Sequence, residues 1–219
     1  IYTRYLVFYN YFHVKDTPGA LVDKSAKTSS GLVQKLTAFI KQKGYTVVGH
    51  YAVQLHTGKP CKMLNSMPEF EILSTDIDEV FNEMKNSLGV DLYLKKTHSN
   101  SFYEVTSYYA SVVYEGVNLC RIYLTDACYS YQSLGGFHVG TIDTVLHFLY
   151  GNLITADHFN TLNGSLSNAL RKLIVLLEKY ADESGPEDRL KLNCIGHEKT
   201  ITDMKKELWD KKIFHYRPV

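Results

Sequence analysis

Two glutamates with one residue between them, Glu69 and Glu71 in Glu69-Phe70-Glu71-Ile72-Leu73, have a spacing suited to chemistry. The run alternates acidic and apolar residues as a half-buried strand does, and alternate strand residues share a face. Two carboxylates on one face can hold two magnesium ions, which clamp the attacking and leaving oxygens of an in-line displacement. The solvated side of an ordinary strand shows the same alternation, so both readings stay open. Upstream, Tyr45–Val48 forms a short apolar strand that Gly49 interrupts, opening a short helix over Tyr51–Leu55. Gly49 suits a phosphate contact, or simply a strand-to-helix turn with unusual backbone angles.

The elements that must position these residues follow from periodicity. Ile1–Val14 is aromatic and β-prone, a strand or the tail of a helix from a preceding domain, and Asp16–Ser30 is a polar loop. Ser29 or Ser30 caps a helix to Lys43 with Leu32, Val33, Leu36, Phe39 and Ile40 as its buried stripe, and Gly44 ends it. After the acidic strand, Ser74 or Thr75 caps a helix carrying Ile77, Val80, Phe81, Met84 and Leu88. Asp76 and Asp78 read as a DxD pair in letters. They fall in that helix's first turn, where acids suit the dipole and residues i and i+2 point apart, so they are rejected as metal ligands. Strands are predicted at Asp91–Thr97, Phe102–Tyr114 and Val117–Leu124, followed by Asp126–Tyr131 and a glycine break at Gly135-Gly136. Thr141 then caps a helix, a longer one runs from about Ala156 to Ala181, and a last one from Ile201 to Lys211. The fold class is α+β: a mixed sheet with flanking helices over residues 1–140, then a helical portion over 141–219.

Composition narrows the functions. A chain of 219 residues with formal net charge +1 has no bulk attraction for nucleic acid, and its 17 tyrosines suit strands and broad contact surfaces. Charge is local instead. Lys205, Lys206, Lys211, Lys212, His215 and Arg217 interleave with Trp209, Phe214 and Tyr216, a pattern for phosphate contact and base stacking, or a plain basic exterior. Lys95, Lys96 and His98 form a smaller basic group, and His147 and His158 are lone histidines on apolar helices. The four cysteines, Cys61, Cys120, Cys128 and Cys194, have no CxxC or metal spacing and read as free thiols of a reducing compartment. Cys128 with His138 lacks an orienting third group and is rejected as a nucleophile pair. Neither a membrane-spanning run nor a signal peptide is visible, and the start at Ile1 points to a piece of a longer protein.

Three blocks carry a resemblance: Val47-Val48-Gly49-His50-Tyr51-Ala52-Val53; Thr141 to Gly151 with the leucine helix through Ala181; and Asn193-Cys194-Ile195-Gly196 with the Trp209–Pro218 tail. They resemble the C-terminal half of the poly(A) polymerase catalytic subunit of large DNA viruses, the mimivirus, asfarvirus and poxvirus type, from about Gly44 onward. The order strand, glycine turn, helix, acidic strand is similar to that of polymerase-beta-type nucleotidyltransferases. The resemblance implies a nucleotidyltransferase-like half that has lost its chemistry. Its partners would be the catalytic half, an RNA 3′ end, and a second copy or a processivity subunit, with no membrane. ATP and Mg²⁺ would serve the assembled enzyme, a polynucleotide adenylyltransferase acting in mRNA processing in the host cytoplasm (viral factory) or the virion. Gly49, Lys205, Lys206, Lys211, Lys212, Tyr216 and Arg217 would touch nucleotide or RNA.

The departures from the family pattern fit a degenerate site. Gly49-His50 replaces Gly-Gly or Gly-Ser, two Glu replace two Asp, and Arg121 stands where the third carboxylate belongs. An ion pair of Arg121 with Glu69 or Glu71 is expected there. Two alternatives remain: a self-sufficient nucleotidyltransferase using Glu69, Glu71 and Asp126, and an interaction or dimerisation module without a polymerase role.

Overall fold

The computed structural model describes residues 30–60, 67–96, 107–125, 127–158, 164–184, 193–196 and 200–210. Helix α1 (Ser30–Lys43) leads into β1 (Thr46–Val48), α2 (Gly49–Thr57), β2 (Phe70–Ser74) and α3 (Ile77–Leu88). Strands β3 (Tyr93–Lys96), β4 (Tyr109–Tyr114), β5 (Val117–Leu124), β6 (Tyr129–Leu134) and β7 (Phe137–Gly140) follow, then α4 (Ile142–His158), α5 (Gly164–Glu183), β8 (Cys194–Ile195) and α6 (Ile201–Asp210). The strands form one eight-stranded sheet in the order β3-β4-β5-β2-β1-β7-β6-β8. It is mixed: β2 runs parallel to β5 and β1 parallel to β7, while β1 pairs β2 antiparallel. The predicted α+β class, a mixed sheet with flanking helices, is what the chain adopts.

Both faces of the central strands are covered, so all five residues of β2 are buried. One face carries Val47, Phe70, Ile72, Cys120 and Ile122 into the main core with apolar residues of α1, α2, α3, α4 and α5. That core runs from Leu32 to Ala181 and so draws on both sides of residue 141. The other face carries Val48, Leu73 and Tyr123 against Phe148 of α4, with Tyr109, Tyr129 and Ile195 around them. Glu71 and Arg121 alternate onto this second face, beside Leu73 and Tyr123.

Local signals explain most element boundaries. α1 ends at Gly44, whose positive φ of 69° suits the helix stop, and Tyr45 N–H donates to Ile40 O. α3 buries Ile77, Val80, Met84 and Leu88 on one stripe. Its cap is Asp76, not Ser74 or Thr75: the Asp76 side chain accepts from Glu79 N–H at 3.0 Å, while Ser74 Oγ bonds the backbone of Asp76. Asp78 lies in the first turn and pairs with Lys96 at 2.8 Å, which also accounts for the small basic group at the end of β3. Lys95 is exposed, and His98 lies outside the described residues.

Four expectations are corrected. The glycine break at Gly135-Gly136 is a hairpin turn, both glycines having positive φ, and it joins β6 to β7 between β1 and the β8 edge of the sheet. The Phe102–Tyr114 strand begins only at Tyr109 among the described residues. The helix opened by Thr141 runs through Gly151 to His158, because Leu149 and Leu153 on either side of that glycine are buried in the core; the next helix starts at Gly164. Cys128 and Cys194 are not free thiols but a disulfide with Cα atoms 5.5 Å apart, which removes the thiol argument for a reducing compartment. Cys120 is the free cysteine among the described residues, buried, with burial and then Glu71 holding its thiol well above the usual range.

Candidate functional site

Glu71 and Arg121 face each other directly across the parallel β2–β5 pairing. Glu71 is 1% exposed. Its Oε2 accepts three hydrogen bonds, from Tyr123 Oη at 2.7 Å, Asn152 Nδ2 at 3.2 Å and Arg121 Nη1 at 3.4 Å. Arg121 Nη1 also donates to Tyr123 Oη at 3.1 Å and to Asn152 Oδ1 at 3.3 Å, closing a four-residue network. Its guanidinium stacks 4.6 Å from the Tyr109 ring centroid. Two neighbouring strands supply Glu71, Arg121 and Tyr123, and α4 lowers Asn152 onto them one turn after Phe148.

Charge is nearly self-compensated inside this network. Burial works against the Arg121 charge, but Tyr123, Glu71 and Tyr109 more than offset it, and the guanidinium stays firmly protonated. Burial holds the Tyr123 phenol well above its usual range, Arg121 opposing, so the hydroxyl keeps the proton it donates. His50, in the first turn of α2, is 2% exposed, and its Nδ1 has no hydrogen-bond partner among the described residues. Burial lowers its pKa and the nearby Glu71 opposes the shift.

Gly49 completes the site. Its φ of 69° is left-handed, and Val48 before it provides no side-chain cap to α2. A Cβ at Gly49 would collide with Glu71 Oε1. The carboxylate therefore rests on the first residue of α2, where the helix dipole favours negative charge. A phosphate brought to the same turn would meet a charge of its own sign.

The other predicted residues separate from this centre. Glu69 precedes β2 and is half-buried, with burial raising its carboxyl pKa, and it joins no ion pair among the described residues. Asp126, Lys211, Lys212, Tyr216 and Arg217 lie outside the described residues. Lys205 and Lys206 are exposed on α6. His138 bonds Gly44 O through Nδ1 at 2.9 Å and stacks on Tyr131, and His147 packs beside Tyr129. Sequence reasoning missed Tyr123 and Asn152. Tyr123 was findable, being two residues after Arg121 on the same strand face; Asn152 had no local signal.

A two-magnesium centre needs carboxylates free to bridge cations. Glu71 Oε2 already serves three donors, one of them a guanidinium. Among the described residues no group of three or more His, Cys, Asp or Glu stands where it could hold a metal. The residues present do not fit such a centre. They fit a rigid polar core that locks β2, β5 and α4 together.

No family model matches the chain, and no curated protein matches it in sequence. A solved structure does match: the crystal structure of the Megavirus polyadenylate synthase, with a TM-score of 0.68 at 16% identity, over 95% of this chain. The chain has a viral polyadenylate synthase-like fold. It covers 47% of the Megavirus chain, so it spans about half that protein's length.

Proposed function

We propose that this chain is the second, non-catalytic nucleotidyltransferase-like half of a viral poly(A) polymerase. The assembled enzyme would transfer adenylate from ATP to an mRNA 3′ end with Mg²⁺, through carboxylates of a catalytic half that lies outside this chain. The chain would contribute a rigid wall and, through Lys205, Lys206 and the Lys211, Lys212, Tyr216, Arg217 stretch, contacts to RNA or nucleotide. Its further partner would be a second copy or a processivity subunit.

The observation that carries this reading is the commitment of Glu71 to Arg121, Tyr123 and Asn152 at the place where metal ligands are expected. The likeness to a polyadenylate synthase supports a poly(A) polymerase-related role. The test is extension of a labelled oligoadenylate primer by this chain with ATP and either Mg²⁺ or Mn²⁺. No extension is expected from the chain alone, and restored extension from the longer protein that contains it. Robust extension by the chain alone would favour a self-sufficient enzyme built on Glu69, Glu71 and Asp126.

A further inference from the structure

The far edge of the sheet holds a feature separate from the Glu71 centre. β8 pairs with β6 through two residue pairs, Tyr129 with Ile195 and Ser130 with Cys194, and Tyr131 N–H donates to Asn193 O at 3.0 Å. A ladder that short is marginal by itself. Ile195 is half-buried against the Val48, Tyr123 and Phe148 cluster. At Gly196, φ 96°, the backbone passes so close to Ala127 O that any Cβ would collide with it. The covalent hold is the Cys128–Cys194 disulfide, which spans 66 residues of chain.

Both bonded cysteines are exposed, whereas Cys120 is buried with its thiol pKa raised. Exposed disulfides are open to attack by a thiolate, and buried thiols are inert. Beyond β8, α6 is capped by its own residues: Thr200 N–H donates to Asp203 Oδ2 at 3.0 Å and Asp203 N–H to Thr200 Oγ1 at 3.2 Å. Its described side chains, Ile201, Thr202, Asp203, Lys205 and Lys206, are all exposed, Ile201 at 68%. A helix of ten residues is marginal by itself, and β8 is the described segment that precedes it on the sheet.

We infer that the Cys128–Cys194 bond is a redox-sensitive tether that holds β8, and with it α6, on the β6 edge when oxidised and releases them when reduced. This goes beyond the proposed polymerase role and does not depend on it. The opening step is exchange with a dithiol reductant. One reductant thiolate attacks a protein sulfur and displaces the other protein thiolate; the second reductant thiol then displaces the first protein sulfur. The reductant becomes a disulfide, losing two electrons and two protons, and Cys128 and Cys194 become two thiols. Lys205 and Lys206 move with α6, and the basic residues that follow it in sequence stay covalently joined to it.

Hydrogen–deuterium exchange on the full-length protein tests this, comparing protein oxidised with glutathione disulfide, the same protein with dithiothreitol, and a C128S/C194S double variant. Non-reducing digestion of the oxidised sample should yield the linked Cys128–Cys194 peptide. Reduction and the double variant should each speed exchange across residues 193–210 by about 10-fold or more, while β1, β2 and β5 keep their protection. The inference is overturned by absence of the linked peptide, by equal exchange in all three samples, or by loss of protection throughout the sheet, which would make the bond a global staple.

Discussion

The protein contains the same three groups, a carboxylate, a cation and a tyrosine, in two settings. Inside, Glu71 meets Arg121 and Tyr123; outside, Glu83 meets Lys43 and Tyr45. The outer ion pair is the shorter, 2.6 Å against 3.4 Å, yet its side chains are 42% and 34% exposed while Arg121 and Glu71 are 18% and 2% exposed. Distance alone would rank the outer pair first. Burial reverses the ranking, because water and salt screen an exposed pair, whereas a buried charge that loses its partner has nothing to replace it. Hydrogen bonds from Lys43 and Tyr45 do lower the Glu83 pKa, and burial followed by Glu83 raises that of Tyr45. The outer trio decorates the α1–α3 surface; the inner trio, with Asn152, fixes how β2, β5 and α4 meet.

The largest expected effect tests that ranking directly. Arg121→Met strands the buried Glu71 carboxylate and should cost about 3–5 kcal/mol in urea unfolding near pH 7, with most of it recovered by adding Glu71→Gln. If Arg121→Met proves no worse than Lys43→Met, the burial contrast fails. Next, Tyr123→Phe removes a hydroxyl that donates at 2.7 Å to a buried carboxylate and should cost about 1.5–3 kcal/mol, with Tyr45→Phe costing far less.

A pH series sharpens the inner half of the comparison. The pKa of His50 is lowered from 6.5 in the folded protein, so above about pH 6.5 both states are neutral there and stability is complete. As pH falls below that value the unfolded chain takes up the proton first. Stability should then drop by up to about 1.4 kcal/mol per pH unit until the folded value is reached. Denaturation midpoints between pH 7.5 and 5, on the order of the usual histidine range, should show this slope, and His50→Asn should flatten it. The smallest effect belongs to Lys43→Met, a slight loss that disappears in about 1 M salt; persistence there would show that the outer pair is not screened.

Much of this contrast was legible from residue patterns. The alternation around Glu71, the position of Arg121 on a later strand and the helix stop at Gly44 all follow from local backbone preferences. The β6–β7 hairpin was not legible, because Tyr129-Ser130-Tyr131-Gln132-Ser133-Leu134 has no clean apolar alternation and is half-exposed through most of its length. Asp76 displaced the predicted serine or threonine cap because its carboxylate reaches Glu79 N–H, three residues on.

The order α1, β1, α2, β2, α3 and the alternation of faces along β2 and β5 were determined by the sequence alone, since period and turn chemistry act within a few residues. Only the tertiary structure decided that Arg121 takes Glu71, 50 residues away, and not Glu69, that Asn152 joins from 81 residues away, and that Cys128 finds Cys194 across 66. Those partnerships depend on strand register and on where α4 and β8 settle against the sheet. A chain acquires these relations only once its whole core is packed.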